Sequence, residues 1–348
     1  MGIQAFNPEL ADIELNQAQG AHLIVKGRGE MKIKVAIIGL GIIGRRMLEH
    51  MGRHESFVPV SMWDPDPEAC QLAHSICPSA EIATNAAAAM AESDLVYLAC
   101  PPVPRHALAL AAAAAGKAVF LEKPLGVDLA ASANLVQSLQ DAGVPAAVNF
   151  TQAAGAALAN ISEAADNGTL GEIVGIDIIV TYETWPREWQ KEADWLRFRA
   201  EGGMTREVLS HFMFFSERLL GPLEMVFAHP NYPADRSLCE THLFARLETP
   251  QQQVVSIFAS VGGVQPDCQQ VTIKGSKKSR RVSEFSLDME SSGGPFVLLE
   301  EAPTDRRAVA LKAQLDELRL CYEGKPHRLA SLPEALRVQM LVEKMLAS

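Results

Sequence analysis

Apolar and polar positions follow two different grammars along this chain. From Met31 to about Phe150, short runs apolar on both faces alternate with longer stretches whose apolar residues recur at three- and four-residue spacing. The short runs are Lys34–Gly39, Phe57–Trp63, Asp94–Cys100, Ala118–Leu121 and Ala146–Phe150. The helical stretches between them include Ile42–Arg53, Arg105–Ala115 and Asp128–Ala142. Gly116 stands where one helix should stop, and Gly143 with Pro145 where another should. Strands buried on both faces and joined through helices predict a parallel sheet with helices on each side.

Beyond Thr151 the pattern changes. A helix is expected near Gly155–Asn167, followed by β-rich stretches at 172–184, 225–229, 238–248, 252–260 and 269–274. An aromatic-rich helix is expected over Thr205–Leu220, and two more between Lys312 and Ser348, around the loop Gly324–His327. Consecutive strands predict a mainly antiparallel open sheet in an α+β domain. With 348 residues the chain has room for two cores. The expected organisation is an N-terminal extension (1–30), an α/β domain (31–150) and an α+β domain (151–348). Its last helices, from about residue 312, would pack back on the first domain.

Composition narrows the function classes. The chain has 31 basic and 42 acidic residues, a formal charge of −11. That balance disfavours nucleic acid, whose binding depends on Lys and Arg neutralising phosphates. No stretch approaches the roughly 20 apolar residues of a membrane helix. The six cysteines are scattered, with no zinc-like spacing, and fit a reducing compartment. Residues 1–30 lack the basic start and long apolar run of a secretory signal. A cytoplasmic protein is expected, with neither nucleic acid nor membrane as partner.

Gly39-Leu40-Gly41-Ile42-Ile43-Gly44 follows a predicted strand and opens a predicted helix. In that context Gly39 permits a tight turn, Gly41 lets a pyrophosphate approach the backbone, and Gly44 lets helix and strand pack closely. Amides at the helix start, including those of Ile42 and Ile43, would hold the phosphates. Asp64 lies 20 residues beyond Gly44, at the end of the second strand, where a carboxylate accepts hydrogen bonds from ribose hydroxyls. Pro65-Asp66-Pro67 follow it with no cation for a 2′-phosphate, which favours NAD; Arg45 and Arg46 leave NADP open. The pattern therefore predicts a doubly wound Rossmann sheet.

Cys100-Pro101-Pro102, His106, the Ala-rich helix up to Gly116-Lys117, and above all Glu122-Lys123-Pro124-Leu125 resemble the Gfo/Idh/MocA oxidoreductase family. The resemblance runs from about Met31 to Ser348 and is stronger in the first half. It implies cofactor contacts at Cys100, Pro101, Pro102, His106, Glu122 and Lys123, with Lys123 beside both the nicotinamide and the reacting carbon. Gly202-Gly203 followed by Glu207 and His211 resembles the family's second signature. It implies that His211 transfers the proton and that Glu207, one helical turn earlier, orients it. Three positions depart from the family's usual pattern: Glu207 replaces aspartate, Phe214 an acid, and Asn149-Phe-Thr-Gln152 an arginine.

The expected function is an NAD(P)-dependent oxidoreductase moving hydride between nicotinamide and a small polar substrate. That substrate is a sugar derivative, a cyclitol, or a carboxylate-bearing carbonyl or imine held by Arg206. Arg206, Tyr182 and Asn149 are the candidate substrate contacts. Two alternatives share the fold: an NAD-dependent glycosidase and a non-catalytic nucleotide sensor. Glu207 and His211 lack a third ligand at metal spacing, so no metal is expected. Relatives associate through the open sheet face, which implies a homodimer or homotetramer. Tyr182, Trp185, Trp189 and Trp195, with Arg187, Arg197 and Arg199, form an aromatic and basic segment that either covers substrate or packs. Lys277–Arg281, a basic run between strands, is expected to be a solvated hairpin.

Overall fold

The computed structural model describes residues 32–348; the expected N-terminal extension lies outside them. The first half runs β1 (Ile33–Ile38), α1 (Ile42–Arg53), β2 (Phe57–Trp63), α2 (Pro67–Ile76), β3 (Glu81–Ile82), α3 (Ala86–Ala91), β4 (Leu95–Leu98), α4 (Pro102–Ala114), β5 (Ala118–Glu122), α5 (Leu129–Ala142) and β6 (Ala146–Asn149). All six strands are parallel, in the order β3-β2-β1-β4-β5-β6. The order reverses direction between β1 and β4, so a crevice opens beyond the carboxyl ends of these two strands. The two-sided apolar runs explain the burial: Val35, Ile37 and Phe120 face one core and Ala36, Val96 and Leu98 the other.

The second half runs α6 (Ala156–Asp166), β7 (Ile173–Tyr182), a π-helical turn (Thr205–Leu209), α7 (Ser210–Leu220), β8 (Glu224–Asn231), β9 (His242–Glu248), β10 (Val254–Val261), β11 (Cys268–Gly275), β12 (Ser279–Ser283), β13 (Leu287–Ser291), β14 (Val297–Leu298), α8 (Arg306–Tyr322) and α9 (Leu332–Leu346). Eight strands form one sheet, β14-β13-β12-β11-β7-β10-β9-β8, antiparallel except where β7 meets β10. Its inner face shares a core with α6, α7 and α9. Helix α8 packs Leu311, Leu315 and Leu318 into the core beneath the first sheet.

Several elements are absent from the sequence expectations. Helix α8 starts at Arg306 rather than near 312, and α2, β3 and β12 to β14 were not anticipated. The expected solvated hairpin at Lys277–Arg281 is a hairpin, between β11 and β12, but its return strand is not solvated throughout: Ser279–Arg281 belong to β12 and Arg280 is buried. Arg280 is buried because Asp288, its neighbour on β13, neutralises it, with Nε 2.9 Å from Oδ1. A cross-strand ion pair thus hides a core-facing position behind a polar sequence.

The turn between β1 and α1 leaves no room for side chains. Gly39 has φ +92°, and a Cβ there would lie 2.4 Å from the Cys100 amide nitrogen. A Cβ on Gly44 would lie 1.8 Å from the Gly39 carbonyl oxygen. Both obstacles are backbone and cannot rotate away. Gly44→Ala should therefore destabilise the protein by about 1–3 kcal/mol, the usual range for overpacking. The midpoint of urea unfolding measures this; an unchanged midpoint would contradict the packing described.

Candidate active site

Sequence around the first turn places backbone donors at the crevice. Gly41 is the N-cap of α1 and no side chain caps that end. A Cβ added to Gly41 would meet nothing within 4 Å, so the protein leaves open the space directly above the first-turn amides. Free amides at a helix N-terminus favour an anion. Asp64, at the end of β2, accepts from the Leu40 amide (2.6 Å) and the Asp66 amide (2.9 Å), which ties β2 to the glycine loop. Arg45 donates to the Leu40 carbonyl and pairs with Glu192, while Arg46 lies over the Trp189 ring.

Helix α4 supplies a buried cation that the sequence reading overlooked. Arg105 is 2% exposed and its guanidinium donates to the carbonyls of Cys100, Glu122 and Pro124. It thereby ties the end of β4 to the turn after β5, where the Lys123–Pro124 bond is cis. On β5, Glu122 accepts from the Tyr97 hydroxyl and from Asn149 Nδ2 (2.7 Å), its register partner on β6. Burial and the adjacent carboxylate push the Tyr97 phenol well above its ordinary pKa.

Lys123 emerges from this turn toward the second half of the chain. Its Nζ donates to the Glu207 carbonyl (2.8 Å) and to the Glu207 carboxylate. Gln190 Nε2 donates to the other Glu207 oxygen (3.0 Å), and Arg187 Nε donates to Gln190 Oε1 (2.8 Å). A polar chain therefore runs Arg187–Gln190–Glu207–Lys123. His211 lines the same cleft, set edge-on to Phe150 and Phe285 at ring separations of 5.7 and 5.8 Å. Its Nδ1 is buried without a hydrogen-bond partner among the described residues. Burial, then the positive charges of Lys123 and Arg187, hold its pKa well below the usual histidine value. The ring is thus neutral near pH 7 and able to take up a proton.

The cleft has a volume of about 1530 Å³, larger than the roughly 300–1,000 Å³ of a common small-molecule site. It is lined by Gly41, Ile42, Ile43, Cys100, Glu122, Lys123, Asn149, Glu207 and His211 among the expected residues. Gly39, Gly44, Asp64, Pro101, Pro102 and His106 lie outside the lining and set the shape of the loops behind it.

Three expected roles are corrected. Glu207 does not orient His211: both its oxygens are taken, by Lys123 and Gln190. The spacing argument assumed an α-helix, but Thr205–Leu209 winds as a π-turn, with the Ser210 amide reaching back to the Thr205 carbonyl. Arg206 cannot hold substrate. It is buried and bidentate to Glu343 at 2.7 Å, and also donates to the Arg199 and Gly202 carbonyls. Tyr182 lies fully buried beneath Trp185 and Arg187 rather than on the cleft wall, and burial raises its pKa. Of the aromatic segment, Trp189 and Trp195 reach the cleft. Phe214 stacks on Phe150 at 4.8 Å and belongs to the core.

Residues 33–150 match the model of the oxidoreductase family with an NAD-binding Rossmann fold, GFO_IDH_MocA. This segment belongs to the Gfo/Idh/MocA family. The likeness in fold extends past the Gfo/Idh/MocA segment to most of the chain. The WlbA dehydrogenase of Bordetella pertussis, solved with NADH and UDP-GlcNAcA, is 22% identical with a TM-score of 0.77, over 91% of this chain and 96% of that one. The scyllo-inositol dehydrogenase of Lactobacillus casei, solved with NAD(H) and scyllo-inositol, is 16% identical with a TM-score of 0.75, over 91% and 96%. The myo-inositol 2-dehydrogenase of Lactobacillus plantarum is 15% identical with a TM-score of 0.75, over 91% and 97%. No curated protein matches the chain.

The neutral buried histidine has a consequence for stability. The unfolded chain takes up a proton at His211 below the ordinary pKa of about 6.5, whereas the folded chain resists it. Its contribution is therefore complete above that pKa and is lost as pH falls toward the depressed folded value. Relative to a His211→Gln variant, the wild type should lose about 1.4 kcal/mol of stability between about pH 7.5 and about pH 5.5. Urea titrations at the two pH values check this; parallel pH dependences would show that His211 titrates normally in the fold.

Proposed function

We propose that this protein is an NAD(P)-dependent dehydrogenase acting on a small polar substrate, a sugar derivative, a cyclitol or a carboxylate-bearing carbonyl compound. The carrying observation is that Lys123 and His211 line one cleft with the amides that begin α1. A bound nicotinamide supplies the hydride acceptor or donor at that cleft. Residues 31–150 bind the dinucleotide and residues 151–348 hold the substrate. The open cradle at Gly41 and the uncapped first turn of α1 fit a diphosphate. Asp64 at the end of β2 favours unphosphorylated ribose, hence NAD, while Arg45 and Arg46 are directed at the Leu40 carbonyl and the Trp189 ring.

The proton chemistry rests on this chain's own groups. Lys123 Nζ uses two hydrogen bonds on Glu207, which leaves a third donor for a substrate oxygen. Glu207 fixes that ammonium in place, and Gln190 fixes Glu207. His211, neutral at its buried position, takes the hydroxyl proton on oxidation and returns it on reduction. Phe150 and Phe285 flank the ring and keep water from it. Equilibrium titration should show NADH binding tighter than NADPH. Lys123→Ala should lower turnover at least about a hundredfold, the lower range for a lost donor at the reacting oxygen, with NADH affinity largely kept. Tighter NADPH binding would overturn the role given to Asp64, and near-normal turnover that given to Lys123.

The second sheet also supports self-association. Phe244 on β9 and Phe258 on β10 are register partners, 54% and 48% exposed on the outer face. Phe227 on β8 meets Phe244 at a ring separation of 5.5 Å. Together the three rings form an exposed apolar patch that a second copy of the chain covers. Light scattering should give a dimer or tetramer, and Phe244→Glu with Phe258→Glu should shift it to monomer. A wild-type monomer at micromolar concentration would refute the interface.

A further inference from the structure

Three arginines converge on one indole in the cleft. The guanidinium carbons of Arg187, Arg46 and Arg307 lie 4.7, 5.4 and 5.8 Å from the Trp189 ring centroid. They come from the segment after β7, from α1 and from the first turn of α8, and all three line the cleft. Among the described residues none of the three forms a salt bridge, whereas the arginines next to Arg46 and Arg307 do: Arg45 pairs with Glu192 at 2.9 Å and Arg306 with Glu284.

We propose that Arg46, Arg187 and Arg307 form an anion subsite, so that the substrate presented to Lys123 and His211 carries a carboxylate or a phosphate. The inference rests on the dehydrogenase assignment above and names its substrate class. Like charges gathered around one ring repel, and the ring's faces offset only part of that, about 0.5–2 kcal/mol per cation. An anion between the guanidiniums removes the repulsion and accepts their free N–H groups in forked pairs. Burial and the charge of Arg307 already lower the Arg46 pKa, a sign that the cations feel one another. Arg187 also belongs to the chain through Gln190 and Glu207 to Lys123. A bound anion is thus tied to the group that meets the reacting oxygen. Arg206, expected to hold such an anion, is excluded by its pairing with Glu343.

Calorimetric titration of NADH-saturated protein with D-glucuronate, inorganic phosphate and D-glucose tests this. Saturation with NADH occupies the amides of α1, so the probes report the arginines. At least one anion should bind tenfold or more tightly than glucose; glucuronate in the lead assigns a carboxylate, phosphate a phosphate ester. Arg187→Ala and the exposed Arg307→Ala should each weaken that anion about tenfold to a hundredfold, the loss of one charged hydrogen-bonded contact. NADH affinity should stay within twofold, and Arg187→Lys should recover part of the loss. Equal binding of anions and glucose, or anion affinity unchanged in both alanine variants, overturns the subsite. So does a loss confined to NADH, which would reassign the arginines to the cofactor. If NADH itself fails to bind, the nucleotide assignment fails, and the same titration on free protein still decides whether the arginines hold an anion.

Discussion

The buried guanidinium of Arg105 is the constraint on which the site's geometry depends. It is almost wholly removed from water, and the groups that solvate it are the carbonyls of Cys100, Glu122 and Pro124. A buried cation is tolerated only where fixed acceptors replace its hydration. Satisfying it therefore requires the end of β4, the end of β5 and the turn after β5 to hold one arrangement. Lys123 leaves the sheet from that turn, and its direction toward Glu207 is a consequence of the arrangement. The Tyr97–Glu122–Asn149 network does the same for the other side of β5. The strand ends are thus held by polar contacts rather than by the apolar cores that flank the sheet.

The cleft combines opposite electrostatic habits. The protein as a whole is acidic, with a formal charge of −11, yet Lys123, Arg46, Arg187 and Arg307 all reach its interior. Only Lys123 among these four is matched by a carboxylate, that of Glu207. Burial, and then the charges of Lys123 and Arg187, keep His211 neutral. The imidazole is unprotonated because it is buried beside cations, and the pairing of Glu207 with Lys123 leaves it without a carboxylate partner.

Much of the fold was legible because strand burial and apolar pattern coincide in the first half. Phe57–Trp63 and Ala118–Leu121 are apolar on both faces because helices cover both, so the sequence could hardly read otherwise. The glycine loop was legible for a steric reason, since each of its outer glycines meets backbone where a side chain would stand. Legibility failed where polar residues are buried in pairs. Arg280 and Asp288 disguise β12 and β13, and Arg206 looked available because its partner Glu343 lies 137 positions away. Arg105 and Gln190 carried no local signal. Their importance is a matter of which carbonyls and carboxylates the tertiary fold brings to them. Glu207 and His211 were correctly brought to one cleft but wrongly to one another, because the partners that take the carboxylate, Lys123 and Gln190, lie far from it in the sequence.

The π-turn at Thr205–Leu209 has a bearing on how the chain can vary. An i+5 bond from Ser210 to Thr205 stores one residue more than an α-helix would need over the same rise. Deleting a single residue there would let the helix close up without breaking it, and the core phenylalanines of α7 could keep their places. The carboxylate at 207 would swing by roughly a quarter-turn or more and abandon the lysine. A change invisible to the hydrophobic core would then disarm the site, so loop-length tolerance elsewhere in the second half does not extend to these five positions.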